Sequence, residues 1–225
     1  MDLCIIIPVL NEHLYIENHI ADFQSLASKG DVIFVDGGST DNTVHLLTTH
    51  GFNLVQATRY GRGAQLSTGL SLAHEYESIL FLHADTQLPD NYFTLIKDAL
   101  KDNDWGRFNV KIDSTKNIFR LIERFMNIRS CATGIATGDQ AIFVKADVAS
   151  KKLPQLNDYP LMEDIYMSRQ LKKVSRPACI KTPVTTSPRY WERHGIIKTI
   201  LTMWIYRLMF FIGISPQKLY KKYYS

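Results

Sequence analysis

Polar and acidic residues follow the apolar runs of this sequence, in positions suited to binding a nucleotide. Pro8, Asn11 and Glu12 come at or after the first run, and Asp36 and Gly37 end the second. Ligands of open α/β sheets bind beyond the carboxyl ends of the strands, so these residues are candidates for a nucleotide pocket. Asp36 would accept a hydrogen bond from a base imide, and Gly37 would let the backbone approach the ligand. The alternative is structural, with Asn11 as a helix cap and Asp36 in a turn.

The fourth apolar run, Ile79 to Leu82, leads into His83-Ala84-Asp85. Alternate residues of an extended chain share a side, so His83 and Asp85 are expected to face the same way. Mn²⁺ or Mg²⁺ is commonly held by one or two carboxylates together with substrate phosphates, which makes Asp85 a candidate metal ligand with His83 beside it. The alternative is that Asp85 caps the turn before Pro89.

Two adjacent acids, Glu163 and Asp164, precede an apparent helix in the second half of the chain. The helix dipole at such a position stabilises ionised carboxylates. An ionised carboxylate is what a general base requires, so this acid pair is the candidate for that role. The alternative is that both acids simply favour a helix start.

Further candidates are cationic or amide side chains that would contact phosphates or sugar hydroxyls. The glycine-rich run from Arg59 to Gln65, which includes Arg62, would bring guanidinium groups and open backbone to a diphosphate. This run lacks both the GxGxxG pattern and the Gly-Lys-Ser/Thr ending of a P-loop. Asp139 and Gln140 either bind sugar hydroxyls or form a simple turn.

A carboxy-terminal loop supplies the last candidates, Arg189 and Trp191. Both would close over the diphosphate. Surface positions are the alternative for the charged residues of this loop.

The elements that must position these residues alternate between strands and helices, which predicts an α/β fold with a Rossmann-like, mostly parallel central sheet. The predicted strands of the first half are Leu3 to Val9, Asp31 to Val35, Asn53 to Ala57 and Ser78 to His83, with helices at about 13–28, 41–50 and 63–76. The second half predicts helices at about 90–102, about 115–130 and from Met162, and strands at Trp105 to Asp113, Gln140 to Lys145 and 178–184. We expect one domain over residues 1–190, with a nucleotide-binding half at about 1–102 and an acceptor half at about 103–190.

The rest of the chain, residues 191–225, is expected to form a carboxy-terminal amphipathic helical segment. Lys198 and Arg207 interrupt the apolar stretch from Gly195 to Ile214, which disfavours a membrane span. We expect residues 195–224 to form a helical cap or a peripheral contact with the inner face of a membrane.

Composition excludes several other classes for this chain of 225 residues and formal net charge +4. Its basic residues form no long block, so a nucleic acid is not an expected partner. Cys4, Cys131 and Cys179 lie far apart without a CxxC pair, which predicts neither a zinc site nor a disulfide framework. With no visible signal peptide, the prediction is a cytoplasmic protein.

Taken in order, Pro-x-x-Asn-Glu, Asp-Gly-Gly-Ser-x-Asp, a His-Ala-Asp version of the DXD motif and Glu163-Asp164 resemble the inverting family 2 glycosyltransferases, which have the GT-A fold. Gly61 to Gln65, Gly138 to Gln140 and Ser187 to Trp191 are also similar to a small bacterial subgroup of arsenosugar-biosynthesis-type or radical-SAM/selenodomain-associated transferases.

The resemblance implies a role for each motif. Pro8, Asn11, Glu12 and Asp36 would line the nucleotide pocket, and Asp85 would hold the metal. Asp164 would deprotonate the acceptor as the base, with Glu163 in support. The sequence departs from the family pattern at three positions: Gly37, Ser67 and His83.

The leading hypothesis is therefore metal-assisted sugar transfer, with inversion, from a UDP-, GDP- or dTDP-linked donor to a hydroxyl acceptor. A nucleotidyltransferase is the second hypothesis, although the loop after Pro8 is not the glycine-rich triphosphate loop expected there. A third is a catalytically weakened sugar-nucleotide-binding protein, to which the three departures point.

Overall fold

A computed structural model of the chain describes residues 2–224 and contains one mixed sheet of eight strands in the order β3-β2-β1-β4-β7-β6-β8-β5. The strands are β1 Leu3–Val9, β2 Asp31–Asp36, β3 Leu54–Gln56, β4 Ser78–Phe81, β5 Thr86–Gln87, β6 Trp105–Ile112, β7 Ile142–Lys145 and β8 Ala178–Thr186. Helices cover the sheet, and two large apolar clusters lie on its two faces. The predicted α/β class with a Rossmann-like central sheet is confirmed.

The first half of the sheet is parallel, as predicted. Strand β1 pairs in parallel with both β2 and β4, and β2 pairs in parallel with β3. Every residue of β1 is buried, which is why its sequence is continuously apolar instead of alternating. The carboxyl ends of β1, β2 and β4 consequently meet at one edge of the sheet.

The second half adds antiparallel pairs. Strand β7 runs antiparallel to β4, with Ile142 opposite Phe81, and also antiparallel to β6. Because β7 begins where β4 ends, the loop before β7 reaches the same edge as Asp85. Residues distant in sequence are thus brought to one crevice.

Most predicted helices are present, with differences at their ends. In the first part of the chain they are α1 His13–Asn18, α2 Ile20–Lys29, α3 Thr43–Thr49, α4 Arg62–Leu72 and α5 Tyr92–Asp102. The later ones are α6 Asn117–Thr133, α7 Ala146–Lys152, α8 Glu163–Leu171, α9 Arg189–His194, α10 Ile196–Phe211 and α11 Pro216–Tyr224. The single helix predicted at about 13–28 is wrong, because the backbone at His19 (φ −126°) leaves the helical conformation and separates α1 from α2. Helix α7 and the two-residue strand β5 were not predicted. The loop expected at Arg189 and Trp191 is wrong, because both residues lie on helix α9.

The carboxy-terminal helices fold back on the body of the protein. Tyr206 and Phe210 of α10 and Leu219 of α11 form a buried cluster with Ile165 of α8. Gly195 has φ 83°, a conformation that favours glycine, and it separates α9 from α10. Within the described residues, no helix combines the length and apolar character needed to cross a membrane. The segment therefore caps α8, which carries the candidate catalytic acids.

The expectation that no cysteines pair was wrong. Cys131, near the end of α6, forms a disulfide with Cys179 of β8, with the Cα atoms 6.0 Å apart, whereas Cys4 is free and buried. Strand β8 pairs with β6 while α6 packs beside β6, so the fold brings together two cysteines that are 48 residues apart in sequence. Disulfides are rare in reducing compartments, so this bond also removes one reason for predicting a cytoplasmic location.

Candidate active site

The residues after β1 and β2 tie the two strand ends to each other. The side-chain oxygen of Asn11 accepts a hydrogen bond from the backbone N–H of Thr40 at 2.8 Å. The Ser39 hydroxyl accepts one from the backbone N–H of Asn11 at 3.0 Å. Asp36 is buried, and its carboxylate accepts backbone N–H groups from Gly38 and Ser39 at 2.9 and 3.1 Å. Asn11 and Asp36 therefore shape the rim of the crevice. The Asp36 carboxylate, which was expected to accept a hydrogen bond from a base imide, accepts these backbone N–H groups.

Gln65 is a structural residue, so its assignment to ligand binding is corrected. Its amide nitrogen is buried and donates to the carbonyl oxygens of Val9 and Val35, at 2.7 and 2.9 Å. Gly37 lies directly against this amide, since a Cβ there would come within 2.9 Å of Gln65 Nε2. Pro8 is a buried residue within β1. The departure at Gly37 thus has a steric reason, because Gln65 fills the space of a larger side chain.

Arg189 connects the two acids of the crevice that follow β1 and β4. Its Nη2 donates to Glu12 Oε2 at 2.9 Å and lies 3.5 Å from Asp85 Oδ2. Its guanidinium also stacks over Tyr15, 4.4 Å from the ring centroid. Burial raises the pKa of Glu12, and the neighbouring Arg189 opposes that rise. The guanidinium of Arg189 therefore lies between the two carboxylates, beside Asp85, the residue that was predicted to hold the metal.

His83 is not placed as a ligand beside Asp85, which corrects its assignment to the metal. The chain turns after β4, with the Thr86 amide donating to the His83 carbonyl, so the strand-like alternation assumed for His83 and Asp85 ends there. The His83 ring faces Arg62, whose Nη1 is 3.4 Å from Nε2. Burial, and then the charge of Arg62, lower the pKa of His83 well below its usual value. The Nε2 atom of this neutral imidazole is therefore directed at the guanidinium of Arg62 and is not available to a metal at Asp85.

Arg62, the second residue of the Gly-Arg-Gly run, also lies 3.8 Å from Glu163 Oε1. The glycines around it do not offer open backbone to a diphosphate. A Cβ on Gly61, which has φ 95°, would lie 2.3 Å from Pro160 Cβ, and one on Gly63 would lie 2.2 Å from the Tyr159 carbonyl oxygen. The glycines therefore let α4 pack against the loop before α8. This packing places the side chain of Arg62 in the site.

The two acids of α8 occupy its first turn, as predicted, but their environments differ. Glu163 is buried, and burial raises its pKa to about 7, with Arg62 opposing the rise and Asp164 adding to it. For Glu163, desolvation therefore opposes the stabilisation of the ionised form that was expected from the helix dipole. Asp164 is half-buried, and its Oδ1 accepts the Ile165 amide at 2.7 Å. Met162, just before them, has φ 66°, an uncommon conformation for a residue other than glycine.

Asp139 and Gln140, in a short 3-10 helix over Gly138–Gln140, have separate roles. Gln140 is fully buried, and its Nε2 donates to Ser130 Oγ at 2.9 Å, so it is not free for a sugar hydroxyl. Asp139 accepts a hydrogen bond from the Thr137 hydroxyl. Burial raises the pKa of Asp139, and the negative charge of Asp164 adds to the rise. The charge of Asp164 therefore acts on Asp139, whereas Gln140 stabilises the loop.

Arg59 and Trp191 lie outside the site. Arg59 is exposed and forms a surface ion pair with Asp158 at 3.7 Å. Trp191 is buried against Phe119, with ring centroids 6.1 Å apart, in a small cluster between α6 and the carboxy-terminal helices. An apolar indole in a loop is a weak signal, because packing uses it as often as ligand binding does.

A cavity of about 410 Å³ opens at the edge between α1 and the β5–β8 pair. Tyr15, His19, Asp85, Ser187 and Arg189 are among the residues that line it. A smaller recess joins His83 and Gly138 to the acids of α8. Tyr15 and His19 were not expected here, because an apolar helical pattern gives no sign that one of its faces borders a cavity.

Arg129 of α6 is a further residue that sequence reasoning missed. Its Nη1 donates to the Ile135 carbonyl at 3.2 Å, while Nε and Nη2 are buried without a hydrogen-bond partner among the described residues. Burial, and then the charge of Arg207, lower its pKa, while Asp139 and Asp164 oppose this. A second positive group thus lies near the candidate base. In the sequence it appears as one more basic residue of an amphipathic helix.

A mixed sheet with a parallel nucleotide-type half and acids gathered at the carboxyl ends of its strands defines an α/β enzyme of the GT-A type. The chain belongs to glycosyl transferase family 2, whose model matches residues 4–150. No curated protein matches the chain by sequence.

Two solved structures show the same fold. One is S. aureus TarS 1-349 in complex with UDP-GlcNAc, with a TM-score of 0.60 and 16% identity over 83% of this chain and 58% of that one. Another is glucosyl-3-phosphoglycerate synthase from Mycobacterium tuberculosis in complex with Mn²⁺, UDP-glucose and phosphoglyceric acid, with a TM-score of 0.61 and 17% identity over 95% of this chain and 80% of that one. The chain thus spans little more than half the length of the TarS chain.

Proposed function

We propose that the protein transfers a sugar from a nucleoside-diphosphate donor to a hydroxyl acceptor with inversion, using Asp164 as the base. The observation that carries the proposal is the convergence of two acid groups at one edge of the sheet. Glu12 and Asp85 come from the parallel half, and Glu163 and Asp164 come from α8. Arg62 lies 3.8 Å from Glu163 Oε1. Burial lowers the pKa of Arg62, but neighbouring negative groups outweigh burial and raise it, namely Glu163, Tyr224, Asp85 and Asp164.

The donor side of this site would be the edge that carries Asp85, Arg62 and Arg189. A diphosphate brings negative charge to it, and the two guanidinium groups can donate charge-assisted hydrogen bonds to phosphate oxygens. The solved structures with UDP-sugars support a nucleotide-sugar donor. The UDP-, GDP- or dTDP-linked identity of the donor stays a prediction.

The residues also fit a divalent cation, with Asp85 as the protein ligand. Among the described residues no cluster of three or more histidine, cysteine or acidic side chains would hold a metal by itself. Mg²⁺ and Mn²⁺ sites on phosphates commonly need one or two carboxylates, the phosphates supplying further ligands, so one half-buried Asp85 carboxylate is sufficient. Such an ion would neutralise charge on the leaving diphosphate. Arg189 would have to release Asp85 for the ion to bind.

The acceptor side would be the edge that carries Asp164. Its carboxylate takes the proton of the acceptor hydroxyl as that oxygen attacks the anomeric carbon, and the bond from this carbon to the diphosphate oxygen breaks. Attack opposite the leaving group inverts the configuration. Glu163, held beside Arg62, positions the first turn of α8 and does not itself contact the acceptor.

We also propose that the protein belongs to the small bacterial transferase subgroup and that it is cytoplasmic. Neither the nucleotidyltransferase hypothesis nor the weakened binding protein gains an observation from the structure. Gly37, one of the departures that suggested lost activity, is explained by its packing against Gln65.

A donor screen tests the proposed function. Thermal shift and release of nucleoside diphosphate are measured with UDP-, GDP- and dTDP-sugars, each with and without Mn²⁺ or Mg²⁺. We expect at least one donor to raise the melting temperature and to be consumed faster with metal, because a ligand of the native state stabilises it. Release of pyrophosphate from a nucleoside triphosphate and a sugar phosphate, with no nucleoside-diphosphate release, would instead support a nucleotidyltransferase.

A further inference from the structure

Two helices outside the active site carry exposed apolar stripes. The stripes follow helical spacing, so each occupies one side of its helix. They consist of Leu121, Phe125 and Ile128 on α6 and of Leu201, Trp204 and Leu208 on α10, and these six residues are called the α6/α10 face below. Leu121 and Leu208 are 65% and 63% exposed.

The two stripes form one continuous surface. The rings of Phe125 and Trp204 contact each other across the helices, with centroids 6.0 Å apart. Beneath them, Phe119 of α6 packs in the same cluster as Ile200 of α10. Single exposed apolar residues are ordinary on a protein surface, whereas a contiguous patch of large ones marks an interaction site.

The opposite side of α10 is already in use. Tyr206 and Phe210 are buried against α8, so the stripe with Trp204 and Leu208 points away from the body of the protein. This arrangement suits a helix that lies in the plane of a surface with one side immersed.

Charge indicates what covers the face. From residue 193 to the end, the chain holds no aspartate or glutamate and six basic residues, namely Arg193, Lys198, Arg207, Lys218, Lys221 and Lys222. On α6, Arg124 is exposed, whereas Arg120 pairs with the one acid of the helix, Glu123, at 2.8 Å. An exposed apolar stripe on a segment that carries basic residues and no acidic ones complements an anionic lipid surface. A second copy of the chain, docked about a two-fold axis, would bring these like charges together.

We propose that the α6/α10 face rests on an anionic lipid bilayer, with the apolar side chains among the acyl chains and the basic side chains at the headgroups. This inference does not depend on the proposed transferase activity. At sequence level the membrane contact was expected within residues 195–224 alone, and the structure adds α6 to it.

Vesicle binding by the full-length protein tests the proposal. Co-sedimentation is measured with vesicles of phosphatidylcholine alone and with vesicles that also contain phosphatidylglycerol. Trp105 and Trp191 are buried, so a blue shift of the tryptophan emission, and its quenching by brominated lipids, would report on Trp204. We expect binding and quenching with the anionic vesicles and at least roughly tenfold weaker binding to the neutral ones, since several basic residues lie near the surface.

Leu208→Glu should reduce binding to the anionic vesicles by roughly tenfold or more. It removes an aliphatic group that would lie among the acyl chains, and it adds a negative charge beside the anionic headgroups. Leu72→Glu is the matched control, since Leu72 is an exposed apolar residue of α4 away from this face. Unchanged circular dichroism and melting temperature establish that each variant is folded.

Three outcomes would overturn the proposal. They are equal binding to neutral and anionic vesicles, equal losses in the two variants, and the absence of lipid quenching in the wild type. A wild-type dimer in solution that Leu208→Glu converts to a monomer, without vesicle binding, would assign the face to a second copy.

Discussion

Replacing Glu163 with glutamine is expected to stabilise the protein at alkaline pH and to have little effect in acid. Burial raises the pKa of Glu163 from 4.5 to about 7 in the folded chain. Between these values the folded state holds the proton more firmly than the unfolded state does. The wild type therefore loses stability as the pH rises through this window, and the neutral glutamine does not.

The difference between the two pKa values corresponds to about 3 kcal/mol, at about 1.4 kcal/mol for each pKa unit. About 1 kcal/mol of this is already lost at about pH 5, so about 2 to 3 kcal/mol separates about pH 5 from about pH 8.5. The attraction to Arg62 is already included in this pKa, which remains raised because desolvation is the larger effect. Glutamine has nearly the same shape as glutamate, so the packing around α8 should be retained.

The assay is urea unfolding of the wild type and Glu163→Gln at these two pH values. Taking the difference between the two proteins cancels the titration of groups that they share. Asp147→Asn serves as the control, because Asp147 is exposed and its pair with Lys151 lies on the surface. A difference in unfolding free energy that is the same at both pH values would refute the raised pKa of Glu163.

Three further predictions concern donor binding, the strand ends and the cysteines. Asp85→Ala should abolish the metal-dependent part of donor binding in calorimetry, with Asp90→Ala as control, and unchanged metal dependence would remove Asp85 from the metal site. Gln65→Leu should lower the free energy of unfolding by about 1 to 3 kcal/mol, because the carbonyls of Val9 and Val35 lose the hydrogen bonds from the Gln65 side chain; an unchanged urea midpoint would contradict this role. Alkylation of the denatured, unreduced protein followed by mass spectrometry should modify one thiol, and reduction should expose two more, at Cys131 and Cys179; three modified thiols without reduction would show that the bond does not form.

The strands of the parallel half could be predicted closely because local sequence determines them. The run Leu3 to Val9 is apolar throughout and is a buried strand over that range. The positions of Asp36 and Asp85 at strand ends, and of Asp164 in the first turn of a helix, followed from the ends of elements. A strand end or a helix start is visible in a single stretch of sequence.

What could not be predicted depends on contacts between distant segments. Local sequence does not reveal the structural role of Gln65, because its two backbone partners belong to strands β1 and β2 and not to its own helix, α4. His83 was paired with Asp85 from strand alternation, and the turn after β4 ended that alternation. The Cys131–Cys179 disulfide depends on α6 packing beside the strand that pairs with β8, which no local spacing indicates.

The carboxy-terminal segment likewise combines a helix that local sequence predicts with a distant contact that it does not predict. An amphipathic helix was predicted from Lys198 and Arg207, and α10 is that helix. The contact of Trp204 with Phe125 was not predictable, because it joins two helices separated by most of the acceptor half.

The most direct test of the proposed mechanism is the turnover of Asp164→Asn on whichever donor and acceptor the screen identifies. Asparagine is nearly isosteric with aspartate but cannot take the acceptor proton. We expect the melting temperature and donor affinity of the wild type, with turnover lower by roughly two to four orders of magnitude, the usual contribution of a positioned general base. Near-normal turnover would contradict the assignment and point to Asp139 or Glu163, whereas lost donor binding at unchanged stability would place Asp164 in the nucleotide site.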